Sequence, residues 1–143
     1  MEFNSDELSG LLVLGTSLQM GGRQEEAIAV HERMGELYPF LRWLTGVTYA
    51  KAGRLVEARR IAVEIEAETK PGEIDAMTAC GLAVLHGTLG EVDTTHWWLT
   101  HEPNHCWRVA VAIDPIAGVP RDVLVDPRFD AFMERLNLPW WVG

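Results

Sequence analysis

The chain has 143 residues, 48% of them hydrophobic, and a formal net charge of −9. This length predicts a single domain, residues 1–143, and this hydrophobic content predicts a packed core rather than a disordered chain. The negative charge argues against nucleic acid and anionic membrane as partners, because both would repel the surface. No apolar run reaches the roughly 18 residues that a membrane span needs. The polar start MEFNSDELSG lacks the character of a signal peptide, and the two cysteines suit a reducing compartment, so we expect a cytoplasmic protein.

The first half of the chain contains a repeated pattern. Four positions recur 31 residues later: Gly15, Leu18, Gly22 and Ala27 match Gly46, Tyr49, Gly53 and Ala58. A weaker third copy follows after a further 37 residues, at Ala83, His86, Gly90 and Thr95. Apolar residues between these positions keep helical spacing, and each copy has a glycine where a first helix must end and turn. Each copy therefore predicts a hairpin of two helices.

Small residues predict where the paired helices cross. Gly15 and Gly46 allow two helix axes to approach to roughly 8–10 Å. We expect them at close crossings, facing Ala27 and Ala58. His31 occupies a position where a large apolar residue is usual, and we expect a buried histidine with a hydrogen-bond partner rather than a metal ligand.

This pattern resembles the tetratricopeptide repeat, whose Leu-x2-Leu-Gly-x2-large…Ala…Pro signature is met at Leu11, Leu14, Gly15, Leu18, Ala27 and Pro39. Further along, LVDPRFDAFMERLNLP resembles the ending of repeat domains found in bacterial nucleotide cyclases and transcriptional regulators, where a last helix closes the array. The resemblance implies a bacterial protein with an all-α fold, a right-handed superhelical stack of about three hairpins plus a C-terminal capping helix. The hairpins would cover residues 6–38, 40–70 and 73–102, followed by a connector at 103–123 and the capping helix at 127–137.

The stretch TTHWWLTHEPNHC raises the question of a metal site. His101 and His105 have the four-residue spacing of ligands on one helix, but Pro103 lies between them and interrupts the helix that this spacing requires. Together with Cys106, these histidines could supply three ligands only from a loop. We expect the stretch to be structural, with no metal or other cofactor. A small metal-binding protein or enzyme that uses His101, His105 and Cys106 is the less favoured alternative.

The resemblance also implies a binding surface, because the first helix of each repeat lines the concave face in this family. The positions carried over are Leu12, Thr16, Gln19, Met20, Phe40, Trp43, Val47, Lys51, Met77, Cys80, Val84 and Thr88. This groove would be mostly apolar, and the cationic clamp that some members use for acidic C-terminal peptides is absent. We expect a non-catalytic interaction module or scaffold that binds a protein, a peptide or a second copy of itself. A self-associating structural domain is the alternative, and Trp140 and Trp141 are expected to pack on the last helix.

Overall fold

The computed structural model describes residues 4–70, 75–101 and 120–136, and this part of the chain contains helices and turns but no strand. The helices are α1 (Ser5–Met20), α2 (Gln24–Leu37), α3 (Arg42–Lys51), α4 (Leu55–Glu68), α5 (Ala76–Thr88), α6 (Val92–His101), α7 (Arg121–Leu124) and α8 (Pro127–Leu136), with a short 3-10 helix at Pro39–Leu41. The prediction of an all-α protein is confirmed. Among the described helices, none combines the length and the apolar character required to span a membrane.

Three short turns connect α1 to α2, α3 to α4 and α5 to α6. Each turn contains a glycine in the left-handed region: φ is 78° at Gly22, 80° at Gly53 and 84° at Gly90. The amide after each glycine donates to a carbonyl five residues earlier at 2.9 Å, in the pairs Arg23 to Leu18, Arg54 to Tyr49 and Glu91 to His86. Such a bond, with a left-handed glycine beside it, ends a helix by satisfying its last carbonyl groups. The three connections are therefore built in the same way, and each joined pair of helices packs together.

The core lies around α3 and α5. All residues from 43 to 50 in α3 are buried, and so are all residues from 79 to 87 in α5. The last helix, α8, adds Phe129, Phe132 and Met133 from one face. In α1, by contrast, only Gly15 is buried, although the helix is rich in leucine. The core is therefore built mainly from the middle of the chain.

Both glycines that were predicted at helix crossings make close approaches. A Cβ atom added at Gly15 would lie 2.2 Å from His31 Nε2, and one added at Gly46 would lie 2.9 Å from a Leu85 methyl carbon and 3.3 Å from Ile61. The nearest side chains are therefore not those of Ala27 and Ala58, which were expected to face them. At Gly15 the larger His31, one helical turn after Ala27, is the nearest side chain, whereas at Gly46 the nearest one is Leu85 of the next hairpin.

The C-terminal part closes against α6. Asp126 Oδ1 accepts a hydrogen bond from the backbone amide of Arg128 at 2.9 Å, next to Pro127 in the first helical position of α8. The Arg128 guanidinium reaches α6 through a 2.7 Å ion pair with Asp93. The predicted helix at 127–137 thus corresponds to α8. Of the predicted connector at 103–123, only residues 120–123 lie within the described part, and they include most of α7.

Candidate functional site

The residues predicted to line a groove divide into a buried and an accessible group. Trp43, Val47, Cys80 and Val84 are all buried, with Trp43 only 8% exposed. A Cβ atom added at Gly81 would lie 2.3 Å from the Trp43 ring, so the indole packs directly on the α5 backbone. These four positions are part of the core, which corrects the expectation that they form an open surface. The physical reason is that α3 and α5 pack on each other and cover the positions between them.

The other members of the predicted set remain accessible to different degrees. Met20, Phe40 and Met77 are exposed to 69%, 49% and 42%, and each lies at or beside the end of a helix. The remaining five are half-buried: Leu12, Thr16, Gln19, Lys51 and Thr88. A partner can therefore reach the helix ends far more readily than the middle of the predicted groove.

One cleft includes two of the predicted residues. It has a volume of about 250 Å³ and lies where the start of α3, the end of α4 and the start of α5 meet. Its apolar wall contains Phe40, Trp43 and Ile65, and its polar wall contains Arg42, Glu68, Thr69, Lys70, Asp75 and Thr78, with Pro39 completing the lining. The cleft is large enough for a side chain and part of a peptide backbone, but it is small for an extended ligand.

Local hydrogen bonds hold the polar wall of this cleft in place. Arg42 donates to Glu68 Oε2 at 3.0 Å and so connects α3 to α4. Asp75 caps α5 by accepting from the Thr78 amide at 2.7 Å, and it accepts from the Thr78 hydroxyl at 2.9 Å. The sequence places an aspartate directly before a helix, where it satisfies amides that have no partner inside that helix. The cleft is thus bordered by side chains whose orientation is fixed.

Two N–H donors of the cleft residues are buried without an acceptor in the part of the chain that the structure describes. They are Arg42 Nε and Trp43 Nε1. A buried donor that lacks a partner costs about 1–3 kcal/mol, and most such groups in proteins find one. Both nitrogens are shielded from solvent, so a ligand in the cleft cannot reach them unless these side chains move. What the cleft offers to a ligand is its apolar wall and the polar groups of the opposite wall.

A charged cluster around His86 was missed by sequence reasoning. His86 Nε2 lies 2.7 Å from Glu66 Oε1, and His86 Nδ1 lies 3.2 Å from Glu91 Oε2. Glu91 also pairs with Arg59, so the cluster connects α4, α5 and the start of α6. Each ring nitrogen of His86 thus lies within hydrogen-bonding distance of a carboxylate. Because Glu66 is 20 residues away from His86 in the sequence, no local pattern indicates this contact.

His31 is a core residue, as expected. Its Nδ1 lies 2.6 Å from Thr48 Oγ1, and the Thr48 hydroxyl donates to the Leu44 carbonyl at 3.0 Å. Since that hydroxyl hydrogen is already used, Nδ1 carries the proton and donates, which leaves Nε2 as an unprotonated acceptor against Gly15. Burial lowers the pKa of His31, in agreement with a neutral ring. The geometry gives His31 a packing role and no access to a ligand.

His96 is a second buried histidine, near the contact between α6 and α8. Its nearest charged group is Asp126, at 3.8 Å from Nε2, and neither ring nitrogen has a hydrogen-bond partner in the described part of the chain. Burial lowers the pKa of His96, and the positive charge of Arg128 lowers it further. Arg128 also holds the pKa of Asp126 well below its usual range. The arrangement is an ion-pair contact between helices beside an uncharged ring.

The possible metal ligands fall at or beyond the end of the described region. His101 is the last residue of α6. The described residues do not include His105, Cys106, Trp140 or Trp141. Among residues 4–70, 75–101 and 120–136, no group of three or more His, Cys, Asp or Glu side chains is arranged to hold a metal ion. The metal-site alternative therefore stays a prediction that nothing here tests.

Comparison with known proteins gives no match for this chain. No protein-family model, no curated protein and no solved structure is similar to it at a significant level. The case for a function therefore depends on the contacts, burial and charges described above.

Proposed function

We propose that the protein is a non-catalytic interaction module built from tetratricopeptide-like hairpins in a right-handed superhelical stack. The three equivalent glycine turns support this proposal, since they recur at the spacing of the sequence repeat. The packing of α2 on α3 and of α3 on α5 also supports it, because each hairpin of a solenoid contacts the next one. On this proposal the last helix, α8, covers the end of the stack.

The observation that carries the proposal is the cleft beside Phe40. Phe40 is an aromatic side chain that is half exposed at the edge of a cavity whose apolar wall also contains Trp43 and Ile65. Aromatic residues next to a pocket concentrate binding energy at protein interfaces. The matching ligand is a peptide segment with an apolar side chain for the wall at Phe40 and Ile65. The Arg42 side chain is 29% exposed and would donate to a backbone carbonyl oxygen of this segment.

Charge is expected to contribute little to this recognition. Arg42 is already paired with Glu68, and Lys70 and Asp75 add one charge of each sign to the lining. Ion pairs that are exposed to solvent contribute about 0–1 kcal/mol and weaken as salt is added. Binding through the cleft should therefore depend on apolar contact and hydrogen bonds, with a weak dependence on ionic strength.

A peptide-library selection on the immobilised chain tests the proposal. Selected peptides should share an apolar anchor residue, and Phe40→Asp should weaken their binding by on the order of tenfold or more, which is about 1.4 kcal/mol. Val56→Asp is the matched control, because Val56 is 80% exposed on α4 and does not line the cleft. If no peptide is enriched, or if Phe40→Asp binds the peptides as well as the parent chain does, the proposal fails.

The metal-binding alternative has its own test. Elemental analysis of protein purified without a histidine tag should show well under one equivalent of any transition metal. One full equivalent of zinc that is lost in His105→Ala would instead support a metal site made from His101, His105 and Cys106.

A further inference from the structure

A second cavity, the α2–α4 groove, lies next to the cleft at Phe40. It has a volume of about 460 Å³, and α3 forms its floor with Thr45 and Tyr49, which are both buried. The polar and apolar side chains of its two walls come from α2 and α4: Glu32, Glu36, Arg60, Ile61 and Glu64. Pro39 and Arg42 line this groove and the cleft alike. The two cavities therefore adjoin, and a segment that leaves the cleft past these two residues enters the groove.

The lining of the α2–α4 groove carries more negative than positive charge. Arg42 contributes no net charge, because it pairs with Glu68 at 3.0 Å. Arg60 is exposed and forms no ion pair within the described part of the chain. Against it stand three exposed carboxylates that also lack an ion pair there: Glu32, Glu36 and Glu64. The field in the groove therefore favours a positively charged group.

The groove also offers apolar surface beside these carboxylates. Ile61 and the Tyr49 ring belong to its lining, and the Tyr49 hydroxyl donates a hydrogen bond to Glu32, which holds that carboxylate in place. Lysine and arginine side chains combine an apolar stem with a charged end. Such a side chain matches the groove, since its stem would lie on Ile61 and its charged end beside the carboxylates.

From these observations we infer that the segment bound at the cleft carries a lysine or arginine near its apolar anchor, and that the α2–α4 groove receives this basic side chain. The inference rests on the proposed function, because the anchor at Phe40 is what brings the segment to the groove. An extended segment of about six residues covers roughly 20 Å, which is enough to occupy two adjoining cavities. The anchor supplies most of the affinity, while the groove selects basic over acidic neighbours.

Fluorescence anisotropy with synthetic hexapeptides tests the inference. Each peptide is acetylated and amidated and contains one leucine as the anchor, with lysine, glutamine or glutamate at each other position in turn. At low salt, lysine at one position should strengthen binding by about threefold to tenfold over glutamine, and glutamate there should weaken it. This preference should shrink as salt is added, because the charges are exposed. If the three series bind equally at every position, the inference is wrong.

Single substitutions in the groove show where the preference arises. Glu36→Gln and Glu64→Gln should each reduce the preference for lysine, since each removes one negative charge. Arg60→Gln should increase it, because this substitution removes the opposing positive charge. Glu134→Gln is the control, at an exposed residue of α8 that lines neither cavity, and should change nothing. All four side chains are exposed, so the variants should fold, which circular dichroism checks. A preference that falls in Arg60→Gln, or that survives unchanged in both glutamate variants, overturns the inference.

Phe40→Ser, which adds no charge, separates this inference from the proposed function. It should weaken all the hexapeptides by a similar factor, because they lose the same anchor contact. If Phe40→Ser weakens binding but the parent chain shows no preference for lysine, the cleft binds peptides and the inference about the groove fails alone. If Phe40→Ser leaves the binding of every hexapeptide unchanged, both fail, because the groove is then reached without the anchor.

Discussion

Alanine substitution at two glycines of α1 should change stability in opposite directions. Both Gly10 and Gly15 lie inside the helix, so alanine at either position gains up to about 1 kcal/mol of helix propensity. At Gly10 nothing lies within 4 Å of an added Cβ atom, and the full gain should be observed. At Gly15 the added atom would lie 2.2 Å from His31 Nε2 and 2.4 Å from its Cδ2. Normal contacts begin near 3.4 Å, so the ring would have to withdraw by more than 1 Å.

The surroundings of His31 determine the size of the loss at Gly15. The ring is fully buried and is held by its hydrogen bond to Thr48, so it cannot move without losing that bond. Overpacking costs about 1–3 kcal/mol, and a lost hydrogen bond costs about 1 kcal/mol more. After the propensity gain is subtracted, Gly15→Ala should lower the free energy of unfolding by about 1–3 kcal/mol.

Urea unfolding of both variants measures the difference directly. The two variants and the parent should be compared at the same protein concentration, because any self-association would add to the apparent stability. The expected result is a raised midpoint for Gly10→Ala and a lowered one for Gly15→Ala, with similar slopes. If Gly15→Ala is stabilised as much as Gly10→Ala, then α1 does not pack on His31 as described.

Three further predictions concern the turns, the core tryptophan and the buried histidines. Gly53→Ala should lower the free energy of unfolding by about 1–2 kcal/mol in a urea titration, because alanine is strained at a φ of 80°. Gly53→Asn should lower the free energy of unfolding by less, because asparagine tolerates this backbone region. Trp43→Ala should lower the free energy of unfolding by about 3–5 kcal/mol, because it truncates a buried aromatic side chain. Gly81→Ala should clash with the Trp43 ring in the parent but not in the Trp43→Ala variant, and a double-mutant cycle measures this difference. Burial lowers the pKa of His31 and His96 in the folded state below the unfolded value of about 6.5. The unfolded chain therefore binds more protons in this range, and the free energy of unfolding should fall as the pH drops below about 6.5. Urea midpoints on either side of that pH test this, and His31→Gln should reduce the slope.

The helices and their turns could be predicted from the sequence because their signals are local. Gly22, Gly53 and Gly90 each follow an apolar helical segment, and a left-handed glycine is the common way to end such a helix. Asp126 and Pro127 are local signals of the same kind, since they supply the side-chain cap and the first residue of α8. These features depend on residues within one turn of each other, and the structure confirms them.

The surface could not be predicted as well, because accessibility depends on contacts between distant segments. Trp43 was expected at the centre of a groove, but Gly81, 38 residues later, leaves space for the indole to pack on α5. Nothing near Trp43 in the sequence indicates that space. The cluster at His86 was missed for the same reason, since Glu66 lies on α4, 20 residues earlier in the sequence. A repeat pattern indicates which face a residue occupies, while its burial is set by the neighbouring hairpin.

The uneven distribution of buried residues has a consequence for motion in the native state. Amide hydrogens exchange with solvent when a segment opens locally, and segments with little buried surface open most easily. With Gly15 its only buried residue, α1 should exchange first and should do so without disturbing α3, whereas the continuous buried runs of α3 and α5 should exchange only when the whole domain unfolds. The first helix should therefore open as a local event of the native state, at a lower free energy than global unfolding.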